Sequence, residues 1–293
     1  MQKHYKNTLL INIQYYSFFF IVLVVFSCSK DKFEAKIPSY ISIDKFTLST
    51  NFATQGSNSE NITDAWVFIN DNLIGTYELP ARFPVIKEGL FTIKIYAGIK
   101  ENGVSQLRRR YLLYSPHVEQ INLVAGKEIT ITPSISYNPD AKFAWLEDFE
   151  GASTSFSYHA NSDTIINKTN TGVFEGNYSG KVYMLPTMVF FEAQSPVFKN
   201  VSSNGTPVYL ELNFKTNEYV LVGLLTDDDK IGLVSLVPTG TWKKIYINLT
   251  TAINSKPTNS NFKVFFGLQS TGLSPFINQN PQIYIDNLKV VHY

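Results

Sequence analysis

Along Val208-Tyr209-Leu210-Glu211-Leu212-Asn213-Phe214 the apolar side chains take every second position. On a strand this gathers Tyr209, Glu211 and Asn213 on the opposite face. Ile245-Tyr246-Ile247-Asn248-Leu249 repeats the alternation, with Tyr246 and Asn248 facing away from the apolar set. Flat aromatic rings can stack on the apolar side of a sugar, while amides and a carboxylate bond its hydroxyls. If the two strands share a sheet, these five residues compose a glycan-binding face. An ordinary solvated sheet face, with tyrosines lying across it, has the same pattern, so both readings stand.

Cys28, the only cysteine, ends a different pattern. Lys3 and Lys6 come first, then an apolar run from Tyr15 to Phe26, then Ser27 and Cys28. A secretory leader needs a basic start and about 7–15 apolar residues. A spanning helix needs about 20, and Asn12 and Gln14 interrupt the longer run. One cysteine allows no intramolecular disulfide, so the fold must stand on its cores.

Catalytic patterns are missing from the sequence. His117, His159 and His292 are scattered, without a His-Glu-x-x-His pair, and there is no Gly-x-Ser-x-Gly elbow. Glycosidase carboxylates come from separate segments, so the adjacency of Glu147, Asp148 and Glu150 argues for nothing. Net charge is +1, which falls to about −1 once the leader with its two lysines is removed. This excludes the basic balance expected of a nucleic-acid binder. Arg108-Arg109-Arg110, the one dense cationic run, abuts Tyr111 and reads as the exposed part of a strand.

Short β-branched and aromatic runs, separated by Asn, Gly, Pro and Ser clusters, predict an all-β chain. Alternation marks strands at 65–69, 91–96 and 128–132. Asn70-Asp71-Asn72 and Glu88-Gly89 supply turn chemistry, and Asp227-Asp228-Asp229 predicts a hairpin turn between two apolar runs. Trp66, Trp145 and Trp242 read first as packing residues. The organisation that follows is a leader at 1–27, a polar tether at 28–37 and a β-sandwich at 38–137. A linker at 138–142, stiffened by Pro139, leads to a second β domain at 143–293.

Three resemblances refine this. The n-region, apolar run and Ser27-Cys28 resemble a bacterial lipoprotein signal, which implies a diacylglycerol and acyl lipid on Cys28 and a membrane address, the outer membrane by preference. Val25 and Phe26 depart from the usual Leu and small residue. Ser29-Lys30-Asp31 loosely resembles the surface-export tags of Bacteroidetes lipoproteins. The stretch from Val67 to Gly98 resembles PEGA-type β-sandwich modules, which implies a stalk. Finally, Trp145-Leu146-Glu147-Asp148-Phe149-Glu150-Gly151, Glu175-Gly176-Asn177-Tyr178-Ser179-Gly180-Lys181, Gly240-Thr241-Trp242 and Ile283-Tyr284-Ile285-Asp286-Asn287-Leu288 together resemble the jelly-roll, galactose-binding-like domains of carbohydrate-binding modules.

That last resemblance implies two antiparallel sheets and non-catalytic polysaccharide binding. It also implies a structural calcium ion that clips the first strands to the last, with Glu150, Glu175 and Asp286 as ligands and Asp148 in reserve. The loop end, with Tyr158, His159 and Tyr178, is a second place for a glycan. The rival reading is a structural or adhesive lipoprotein that uses the same domain to hold other proteins of a surface complex.

Overall fold

The computed structural model describes residues 36–201, 205–271 and 273–293, so the leader, Cys28 and most of the tether lie outside the described residues. Its long elements are strands. The helices Phe52–Gln55 and Thr250–Asn254 are single turns, and none among the described residues is long and apolar enough to cross a membrane. The all-β expectation holds.

The first sandwich is built on the long strand Gly89–Lys100. It pairs antiparallel with Asp64–Ile69 on one side and with Arg108–Arg110 and His117–Leu123 on the other, while Asn72–Glu78 closes the edge. Asn70 and Asp71 both take positive φ, which turns the chain tightly between Asp64–Ile69 and Asn72–Glu78. Opposite lies Ser39–Ile43, between Ala81–Val85 and the parallel Glu128–Thr130. Ile41, Val67, Phe83 and Ile95 fill the space between. Arg108 departs from the expected solvated run: half-buried, it pairs with the buried Asp64 and with Glu78 at 2.8 Å.

The second sandwich has two antiparallel sheets. One runs Asn167–Thr169, Ser179–Tyr183, Gln282–His292, Val208–Thr216, Lys243–Asn248, with Lys142–Glu147 also on the closing strand. The other runs Ser157–Tyr158, Phe190–Gln194, Lys263–Gln269, Val220–Leu225, Lys230–Leu236. Asp227, Asp228 and Asp229 form the last hairpin turn, closed by Thr226 N–H on Asp229 O at 2.8 Å. Leu210, Leu212, Phe214 and Ile247 meet Phe191, Val222, Val264 and Phe266 between the sheets. Each such side chain contributes roughly 1.5–3 kcal/mol on burial.

The two sandwiches are packed together. Tyr209, Tyr246 and Val291, on the outward face of the six-stranded sheet, belong to the same buried cluster as Tyr111, Tyr114 and Tyr137 of the first sandwich. Tyr111 is the hinge pin of this contact, with its ring 5.1 Å from Tyr209 and 5.0 Å from Tyr246.

Candidate functional site

The alternation places Tyr209, Glu211, Asn213, Tyr246 and Asn248 on one face of one sheet, but that face is not an open groove. The first sandwich covers it. The Glu211 carboxylate, 0 % exposed, accepts from the Tyr111 and Tyr137 hydroxyls at 2.7 and 2.9 Å and lies 3.0 Å from Lys244 Nζ. Tyr209 donates to Glu101 at 2.5 Å, and Asn248 donates to the same carboxylate oxygen at 2.7 Å. Tyr246 Oη accepts from Asn61 N–H at 3.1 Å, and Asn213 Nδ2 donates to Ser59 Oγ at 2.9 Å. Their polar atoms are therefore turned to the neighbouring sandwich. Burial opposes ionisation of Glu211, yet Lys244, Lys289 and Tyr111 outweigh it and hold the carboxyl below its usual range.

The three expected calcium ligands do not converge. Glu150 is spent on the 176–178 loop, accepting from the N–H groups of Asn177 and Tyr178 at 2.8 and 2.9 Å and from Asn177 Nδ2 at 3.1 Å. Glu175 and Asp286 are neighbours across Asn287. Glu175 accepts from the Ser57 hydroxyl and from Asn287 Nδ2, while Asp286 accepts from Ser179 Oγ at 2.6 Å and Asn287 N–H at 2.8 Å. These partners are donors, and calcium needs six to eight oxygen acceptors. Among the described residues no three His, Cys, Asp or Glu side chains gather as a metal site. As they stand, Glu150, Glu175 and Asp286 do not fit one shared ion.

The outward face of the five-stranded sheet is different. Val264, Phe266, Leu268, Val222 and Leu224 point into the core, so Phe265, Gly267, Leu221, Gly223, Glu192 and Gln194 point out. Glu192 is paired with Lys230 and accepts from Gln194 Nε2 at 2.9 Å, and Lys263 Nζ donates to Gln194 Oε1 at 3.2 Å. The fully buried Phe265 ring packs against Gly223, where a Cβ would stand 2.1 Å from Ile231 O and 2.6 Å from the ring. Lys230 Nζ sits 4.7 Å from the centre of that ring. Leu221 beside it is exposed. The face ends in a cavity of about 380 Å³ lined by His159, Asn161, Asp163, Val189, Phe190 and Gln269. Two backbone N–H groups, of Val189 and Phe190, hold Asp163 below the usual carboxylate range.

Of the expected loop-end residues, His159 borders this face with its ring 5.4 Å from Phe190. Tyr158 is spent on the backbone of Ile166, and Tyr178 lies apart beneath Lys168. Reasoning from the sequence passed over Glu192, Gln194 and Phe265. Their signal was the alternation in Phe190-Phe191-Glu192-Ala193-Gln194 and the glycines at 223 and 267, which leave room beside a ring.

Neither a protein-family model nor a curated protein matches this chain. Among solved structures it is similar to the CBM22-2 xylan-binding domain of Paenibacillus barcinonensis Xyn10C, at 12% identity and TM-score 0.39 over 51% of this chain and 99% of that domain. It is also similar to a family 11 carbohydrate-binding module of Clostridium thermocellum, solved with a β-1,3-1,4-mixed-linked tetrasaccharide. There the identity is 13% and the TM-score 0.36, over 51% of this chain and 94% of the module. The second sandwich stands on its own strand order, and these likenesses assign it no ligand.

Proposed function

We propose that this chain is a membrane-anchored, non-catalytic glycan-binding protein whose ligand lies on the outward face of the five-stranded sheet. One observation carries the reading: an outward face, turned away from the first sandwich, on which the exposed Leu221 and Lys230 and the half-buried Gln194 and Lys263 form a bonded polar surface over the buried Glu192 carboxylate and Phe265 ring. Hydroxyls of a polysaccharide can exchange into such a surface, because each both donates and accepts. Apolar ring faces can rest on Leu221 and Phe190. The first sandwich then serves as a stalk between the lipid on Cys28 and the binding domain.

The test is binding of the full chain in detergent to a polysaccharide panel headed by xylan and mixed-linked β-glucan. Saturable binding that weakens with Gln194→Ala supports the reading. A folded protein that binds no polysaccharide rejects it in favour of an adhesive or assembly role. Lipidation is tested separately, by the mass of the mature N-terminus and its change in Cys28→Ala.

A further inference from the structure

We propose that the cleft between the two sandwiches is a second ligand site, and that it takes the end of a neutral saccharide chain. The ligand class rests on the glycan reading above, but the site does not, because it lies on the opposite sheet and is built by both domains. The cleft measures about 690 Å³. Glu60 and Asn61 come from the first sandwich, Asn213, Lys244 and Trp242 from the six-stranded sheet and its rim, and Phe174 from the 170–178 loop.

Its floor holds an unused acceptor. Asn213 is 1 % exposed, and its amide nitrogen donates to Ser59, but its Oδ1 is buried without a hydrogen-bond partner. A buried carbonyl oxygen left in this state costs free energy that a donor would recover. Glu60 lines the same space. Burial raises its carboxyl above the usual range although Ile62 N–H bonds it at 2.5 Å and Lys244 and Lys45 oppose the shift. A donor to Glu60 would compensate the lost water.

The wall is aromatic. Trp242 and Phe174 meet edge to face at 5.4 Å, and the indole N–H is already bound to Gly172 O at 3.1 Å. The ring therefore offers the cleft apolar surface and no free donor. Acceptors below and an aromatic wall beside them suit a hydroxylated ring. Of the three lysines on the lining, Lys244 is paired with Glu211 and Lys100 with Glu78, which leaves Lys243 to balance Glu60 and disfavours a ligand of either net charge. The domains join directly at the cleft's inner side, through Asn102 N–H on Tyr246 O at 2.8 Å and Asn61 Nδ2 on Lys244 O at 3.0 Å. That closed side favours the end of a chain over one running through.

The experiment is titration of the full chain in detergent with short xylo- and cello-oligosaccharides, in parallel with the polymers. Expected is oligosaccharide binding that weakens about tenfold with Trp242→Ala and with Glu60→Gln and is unmoved by Gln194→Ala. Polymer binding should show the converse dependence on Gln194. Melting temperature serves as the check on folding, and Glu60→Gln keeps the test open where Trp242→Ala fails to fold. Oligosaccharide binding that responds only to Gln194→Ala overturns the cleft and leaves the sheet-face reading standing. A folded protein that binds polymer but no oligosaccharide also overturns it. Binding of oligosaccharide alone, lost with Trp242→Ala, supports the cleft and rejects the sheet face.

Discussion

Glu211 and Lys244 lie 3.0 Å apart on adjacent strands, both sealed from solvent beneath the tyrosines of the neighbouring sandwich. Tyr111 and Tyr137 donate to the other carboxylate oxygen, so one buried charge organises both domains. The tyrosine bonds to Glu211, together with Tyr209 on Glu101, Asn213 on Ser59 and Asn61 on Tyr246 and Lys244, hold the second sandwich on the first.

Removing one member leaves the other buried and unpaired. Glu211→Ala should lower stability by about 3–5 kcal/mol, whereas replacing both, as Glu211→Leu with Lys244→Met, should recover most of the loss. Chemical denaturation of the single and double variants measures this. Equal stabilities for Glu211→Ala and the parent would show that the domains do not share this contact in solution.

Asp286 and Lys289 make neutral pH unfavourable at the junction. Burial is the first cause in each case, lifting the Asp286 carboxyl to about 7 and lowering the Lys289 amine to about 7. The stability linked to Asp286 is fully present below its ordinary pKa of 3.8 and is lost as pH rises to about 7. That linked to Lys289 is present above 10.5 and is lost as pH falls to about 7. Relative to the parent, Asp286→Asn should therefore gain melting temperature as pH rises from 4 to 7 and level off above. Lys289→Met should gain as pH falls from 10.5 to 7. A difference independent of pH would contradict the burial of these groups.

Gly223 is required first by the Ile231 carbonyl and then by the Phe265 ring beside it. A Cβ there would stand 2.1 Å from Ile231 O and 2.6 Å from the Phe265 ring. Gly223→Ala should cost about 1–3 kcal/mol through overpacking. Gly240→Ala, where nothing lies within 4 Å, is the control and should leave the melting temperature nearly unchanged.

On the outward face of the five-stranded sheet, half-buried Gln194 links the buried Glu192 to Lys263. Gln194→Ala should weaken polysaccharide binding by about tenfold, the worth of one or two hydrogen bonds. Tyr209→Ala should instead lower stability, since its hydroxyl is bonded to Glu101 within the interface. Isothermal titration together with thermal melts separates the two effects.

The sequence by itself determined the class of the fold and the side to which each strand residue points. A two-residue period cannot be read any other way on a strand, so Val208, Leu210, Leu212 and Phe214 went to the core and Tyr209, Glu211 and Asn213 to the opposite face. Asn70 and Asp71 likewise announced their turn, because few residues accept positive φ. Only the tertiary structure decided what lies across that face. Tyrosines, amides and a carboxylate suit a wet surface and a hydrogen-bonded domain contact equally, and alternation reports a side without reporting its cover. The same limit hid the cleft. Its lining comes from residues 59–61, 63, 100, 102–105, 174, 213–214, 235–237, 239 and 242–245, segments with no common pattern, which meet only where the two sandwiches pack together.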